Sequence, residues 1–172
     1  MMKIITVPNP ILRKKSLPVS SFDDGLLDLV SKLKKLLQQQ KDPPGFGLSA
    51  PQIGILKRVF VGLIGKEFKA FVNPEILERS PEKIIMLEGC LSIPEFYGHV
   101  IRPAKIKVTA ATEFGRKFTR KYAGISARVV QHELDHLNGI LFIDHVHTQG
   151  GKLFKVIKDQ KGKEELAEVT FA

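Results

Sequence analysis

Apolar residues recur at helical spacing in two stretches of the chain. The first comprises Leu26, Leu27, Leu29, Val30, Leu33, Leu36 and Leu37. Steps of three and four put them on one helical face. This predicts a helix from about Phe22 to Gln40, despite Gly25, ended by Pro43-Pro44-Gly45. Ser21 and Asp24 have capping-box spacing, with Asp where Glu or Gln is usual. The second helix should span about Ile125 to Leu137 and stop at Asn138-Gly139. Ile125, Val129, His132 and His136 share one stripe, with Val130, Leu134 and Leu137 beside it. Both histidines therefore lie on or next to the buried face.

Between the helices the pattern is that of strands. Val59 to Ile64, Ala70 to Val72, Lys83 to Leu87, Ile106 to Ala110 and Arg116 to Tyr122 are separated by turn residues. Gly115 suits a hairpin turn between the last two, and Ile4, Ile5 and Val7 form a short strand near the start. The order of elements predicts an α+β fold: antiparallel β-sheets around a central helix, with an N-terminal helix. The length of 172 residues suits a single domain over 1–172, with 146–172 as a C-terminal extension. In that extension, Leu153 to Ile157 and Leu166 to Phe171 could pair around Asp159 to Gly162 or belong to a frayed helix.

Composition narrows the picture. A lone cysteine, Cys90, makes no intramolecular disulfide. Met1 to Lys15 has no apolar run of signal-peptide length, and no stretch approaches the ~18 apolar residues of a membrane span. The expected address is the cytoplasm, with no membrane partner. The net charge of +9 favours acidic partners. The lysines are spread along the chain without a nucleic-acid-binding module. A solvated basic face is expected, and transient electrostatic association with a ribosome or RNA surface is the alternative.

The chemistry begins at His132-Glu133-Leu134-Asp135-His136. Two histidines four residues apart on a helix project to one side and can hold a divalent metal, with a carboxylate beside them as a base. A catalytic site usually needs a third protein ligand. The extended H-E-x-x-H-x-x-G-x-x-H pattern is excluded, because Gly139 is in place but position 142 is Phe142. Glu164, Glu165 and Glu168 lie in a lysine-rich tail, and His145 and His147 flank an expected turn. Cys90, in Glu88-Gly89-Cys90-Leu91-Ser92-Ile93-Pro94, can supply a thiolate, although a lone cysteine is also a common buried apolar residue. A third segment, Gly45 to Gly54, is a glycine-rich loop carrying Gln52. It lacks the Gly-Lys-Ser/Thr ending of a phosphate loop. Its glycines let a ligand backbone approach, and its amide can polarise a carbonyl.

Together, Gly45 to Gln52, Glu88 to Ser92 and Gln131 to His136 resemble the three ordered motifs of the peptide deformylases. The resemblance extends from about Ile4 to His145. It implies hydrolysis of the N-formyl group from N-formylmethionyl peptides, releasing formate. It also implies that Cys90, His132 and His136 hold one metal ion, Fe²⁺ in the cell, with Zn²⁺, Ni²⁺ or Co²⁺ as substitutes. Such a metal lowers the pKa of a bound water. Glu133 would take the water's proton, while the Gln52 amide and the Leu91 N–H would stabilise the oxyanion. Gly47 and Gly89 would bind the peptide, and the enzyme would act as a monomer. Glu88 would pair with Arg102, and Asp135 would either orient a ligating histidine or face solvent.

Three residues depart from the pattern. Ser49 stands where alanine is common, Arg128 where many members are apolar, and Tyr97 where some have arginine. The last two are expected to alter the methionine pocket. Two rival readings use the same helix. A zinc metallopeptidase would take a carboxylate or histidine as its third ligand. A structural metal site in an RNA-binding module would be closed by four ligands and leave Glu133 without a task.

Overall fold

A computed structural model describes residues 3–171. The N-terminal helix α1 covers Asp24–Gln39, after which the chain forms β1 (Gly47–Ser49) and a 3₁₀ turn (Ala50–Ile53). Then come β2 (Val59–Ile64), β3 (Glu67–Arg79), β4 (Lys83–Cys90), β5 (Ile93–Pro103), β6 (Lys105–Ala111) and β7 (Lys117–Ala123). Helices α2 (Gly124–Leu137) and α3 (Phe142–Thr148) precede a hairpin of β8 (Leu153–Lys158) and β9 (Glu164–Val169). One antiparallel sheet has the order β1-β2-β3-β6-β7 and the other β4-β5-β8-β9. The architecture is α+β, as expected.

Alternation along β2 explains the layers. Val59 and Val61 turn to one face, where α1 packs Leu26, Leu29, Leu33 and Leu37. Phe60 turns to the other, with Phe71, Ile106 and Val108, and meets Ala127, Val130 and Leu137 of α2. The β1 and β2 part of the first sheet is thus covered on both faces, and α2 presents its remaining side to β4 and β5. A third cluster joins Leu12, Ile93, Val100, Phe142, Val146 and Leu153, fixing α3 and β8 to the second sheet.

Several local expectations need correction. The cap of α1 is Asp23, which accepts from the Leu26 N–H at 3.0 Å, while Ser21 donates to Asp23 at 2.7 Å. A carboxylate next to the first helical residue outcompetes the more distant hydroxyl. Ile4 to Val7 join neither sheet as a strand. Instead the Ile5 N–H donates to the Gln52 carbonyl at 2.7 Å and the Val7 N–H to the Ser92 carbonyl at 2.9 Å. Strand β5 was hidden by Pro94 and Pro103, which sit near its ends, where the ladder needs few N–H donors. His145 and His147 lie within α3, not beside a turn. The tail is a hairpin, with β8 hydrogen-bonded to β5 through Phe96, Tyr97 and Gly98.

Candidate metal centre

Helix α2 and the end of β4 supply three metal-binding groups. His132 and His136 sit one turn apart on α2, and Cys90 is the last residue of β4. Cys90 Sγ lies 3.3 Å from His136 Nε2. The three donor atoms all fall within 4.8 Å of one another. Tetrahedral bonds to a thiolate and two imidazoles place donors about 3.5 Å apart, so the residues fit a single small divalent ion. Burial pushes the Cys90 thiol up, but His136 and His132 outweigh it and bring the group down to about 5. The thiolate needed for ligation is therefore available at neutral pH.

Glu133 lies beside these groups and is 3 % exposed. Burial pushes its carboxyl up to about 7, against the pull of His132 and His136. Its Oε2 is buried without a hydrogen-bond partner among the described residues. A carboxyl near neutrality with a spare acceptor has the character of a general base.

A charged network braces the centre from behind. Arg102 donates to both oxygens of Glu88, Nε to Oε1 at 2.6 Å and Nη2 to Oε2 at 3.0 Å. Glu88 Oε2 also lies 3.0 Å from His132 Nδ1, which leaves Nε2 of that ring for a metal. Burial alone would raise the Glu88 carboxyl, but His132 and Arg102 outweigh it and hold the group well below the usual carboxylate range. The expected Glu88–Arg102 pair is therefore present and buried. Asp135 neither faces open solvent nor orients a ligand. It accepts from Arg102 Nη1 at 2.7 Å and lies 2.8 Å from His145 Nε2.

Arg128 is committed to the same network. Its guanidinium donates to Glu88 Oε1 and the Val100 carbonyl, both at 2.9 Å, and to the Ile84 carbonyl at 2.6 Å. Tyr97 stands opposite Gly89 in register. Alternation turns it to the sheet face away from Glu88 and Cys90, with its ring over Gly89, where a Cβ would meet it at 2.6 Å. Phe142, at the sequence position where the extended motif would carry its third histidine, stacks on His132 at 6.3 Å between centroids.

The remaining predicted residues converge on this corner. Gln52 is 1 % exposed, and its Nε2 lies 3.6 Å from Cys90 Sγ. Leu91 follows Cys90 in the turn between β4 and β5. Gly47 lies on β1, where a Cβ would run into the Glu133 carboxylate. Among the described residues, β1 pairs only with β2 and β4 only with β5, so each leaves one edge free. His145, His147, Glu164, Glu165 and Glu168 stand outside the donor cluster. Sequence reasoning did not anticipate the Glu88–His132 contact or the second cation on Glu88. Glu88 lies 44 residues from His132 and 40 from Arg128, and no local pattern links them.

A helix-borne histidine pair, a thiolate and a buried carboxyl define a metal-dependent hydrolase site. The polypeptide deformylase family profile matches residues 1–152. The peptide deformylase of Caldicellulosiruptor bescii is 45% identical over 144 residues, 84% of each chain. That of Pseudothermotoga lettingae is 40% identical over 171 residues, 96% of this chain and 97% of its own. Among solved structures, the Thermotoga maritima peptide deformylase superposes with a TM-score of 0.80 at 41% identity, covering 84% of this chain and 97% of that one. A Plasmodium falciparum peptide deformylase bound to an inhibitor gives 0.77 at 43% identity, covering 83% and 88%. The chain belongs to the peptide deformylases, metalloenzymes that hydrolyse the N-formyl group from nascent polypeptides.

Proposed function

We propose that Cys90, His132 and His136 hold one divalent metal ion, Fe²⁺ in the cell, with Zn²⁺, Ni²⁺ or Co²⁺ as substitutes. The observation that carries this reading is the convergence of the three donor atoms within 4.8 Å. Held by these residues, the ion would supply Lewis acidity that lowers the pKa of water. Glu133 takes the proton from that water and returns it to the leaving amine. Hydroxide adds to the formyl carbon, the C–N bond breaks, and formate and a free α-amino group result. The Gln52 side-chain amide and the Leu91 N–H donate to the formyl oxygen as it gains charge.

The free edges of β1 and β4 support an extended peptide laid between them, hydrogen-bonded to the backbones at Gly47 and Gly89. Donors, base and edges all come from one chain, which supports action as a monomer. Among the described residues, no helix is long and apolar enough to cross a membrane. The proposed location is the cytoplasm, where N-formylmethionyl peptides are made.

Anaerobic purification with metal analysis, followed by a formate-release assay on formyl-Met-Ala-Ser, tests the assignment. Wild-type protein should carry about one metal per chain and release formate, and Cys90→Ala should lose both. Cys90→Asp should retain some metal through its oxygen ligand. Formate release by metal-free Cys90→Ala at the wild-type rate would refute the ligand set.

Association with the ribosome is the second part of the proposal. Lys105, Lys107, Lys117 and Lys121 share one face of β6 and β7, with Lys107 directly opposite Lys121. Like charges at that position are unfavourable. Glu78 offsets them in part through Lys107 at 2.7 Å. Binding to ribosomes should weaken about tenfold or more between roughly 50 and 200 mM salt. Co-sedimentation that is indifferent to salt and to Lys107→Glu/Lys121→Glu would exclude this face.

A further inference from the structure

We propose that Ser92, together with Ser49, is a positioning residue that fixes the Gln52 carboxamide for catalysis. The inference rests on the reading of Gln52 as a donor to the formyl oxygen. Gln52 Oε1 accepts from the Ser49 backbone N–H at 2.8 Å and from the Ser49 hydroxyl at 2.9 Å. A backbone N–H can only donate, so the atom facing it is the amide oxygen and Nε2 must face the other way. There Nε2 donates to Ser92 Oγ at 3.1 Å and faces Cys90 Sγ at 3.6 Å.

The amide has two hydrogens, and the two contacts differ in quality. The bond to Ser92 is within the normal range for an N–H donor to oxygen. The contact with sulfur is long at 3.6 Å, and a thiolate that holds a metal has less charge left to attract a donor. Ser92 thus occupies one hydrogen firmly and leaves the other aimed at the metal corner, loosely held. An oxygen gaining negative charge there is a better acceptor than sulfur and draws that hydrogen without turning the amide. Preorganisation of this kind makes a donor effective in the transition state.

The surroundings hold the arrangement together. Ser49 and Ser92 are fully buried, and Gln52 is 1 % exposed. The Ser92 N–H lies 3.4 Å from Cys90 Sγ, which ties the residue to the end of β4. The N-terminal segment pins both main chains, with the Ile5 N–H on the Gln52 carbonyl and the Val7 N–H on the Ser92 carbonyl. The terminal amide torsion of Gln52 is broad when unrestrained. Ser49 and Ser92 restrain it from opposite ends.

Without the Ser92 hydroxyl, one amide hydrogen is left buried and unpaired, and the amide is free to turn it toward Cys90. The interaction at stake develops only as charge builds on the oxygen, so kcat falls while KM stays level. Ser92→Ala in the metal-loaded enzyme should lower kcat about tenfold, less than the loss of a whole oxyanion donor. Ser49→Ala should lower it about threefold, because the backbone N–H still holds Oε1. Metal content and melting temperature report any general damage.

The deciding measurement is a double-mutant cycle on formyl-Met-Ala-Ser. In a Gln52→Ala background, Ser92→Ala should leave kcat unchanged, because it acts through a side chain that is gone. The same tenfold loss in both backgrounds would overturn the proposal and mark Ser92 as a packing residue. A raised KM with unchanged kcat would also overturn it. If Gln52→Ala alone leaves kcat intact while the wild type releases formate, the premise about Gln52 fails, a result distinct from an additive cycle.

Discussion

Glu133→Gln is expected to lower formate release by about 10²- to 10⁴-fold while leaving the metal in place. The substitution preserves shape and removes basicity. Glu133 is almost fully buried, and burial already pushes its carboxyl up to about 7. A neutral amide is therefore no harder to accommodate than the carboxylate, and the fold should tolerate it. What disappears is the group proposed to take a proton from water and return it to the amine. On the proposed ligand set neither imidazole could stand in, because both would be engaged by the metal. Metal analysis and a formate assay on the same preparation separate the two roles. A metal-loaded variant with wild-type kcat would show that Glu133 is not the base. Loss of metal together with activity would show that its role is structural.

The second large effect concerns stability. Arg102→Met should destabilise the fold by about 3–5 kcal/mol, because it strands a buried carboxylate. Arg102 gives Glu88 a two-pronged bond and also holds Asp135. Both Arg102 and Glu88 are 5 % exposed, so water cannot replace the lost partner. Arg128 touches only one Glu88 oxygen and spends its other bonds on carbonyls. It cannot replace the pair. Denaturant unfolding of the metal-free proteins, compared at equal m-value, gives the difference. A loss below about 1 kcal/mol would place the pair in the class of weak surface bridges. Replacing Glu88 and Arg102 together with apolar residues should recover part of the loss, since the charge burial goes with the pair.

The legibility of this protein divides by distance along the chain. Both long helices were readable because their apolar positions repeat over several turns. Each residue in such a pattern is constrained by a neighbour three or four places away. Strand β2 was readable for a similar reason, and its predicted limits, Val59 to Ile64, match those observed. Strand β5 was not, because Pro94, Gly98 and Pro103 resemble loop residues until the pairings with β4 and β8 are known. Helix α3 was missed because seven residues are too few for a period to emerge. Its stability comes from packing Phe142 and Val146 against the second sheet.

The site divides in the same way. The sequence by itself determined the donor types, because His132 and His136 are one turn apart and Cys90 lies in a recognisable segment. It also singled out Glu133 as the candidate base and Gln52 as the candidate amide donor, and through the three ordered motifs it pointed to the reaction. Tertiary structure alone decided that Glu88, not Asp135, faces the ligating His132. It alone turned Arg128 into the bracing network and Tyr97 onto the outer face of the second sheet. It also set Gln52 between two buried serines. These contacts join residues three to more than forty positions apart on different elements, and each depends on which side of a strand or helix a side chain leaves. A short motif specifies chemistry because its spacing is local. Partners in a buried polar network are chosen by the packing of whole elements, and no local spacing encodes that choice.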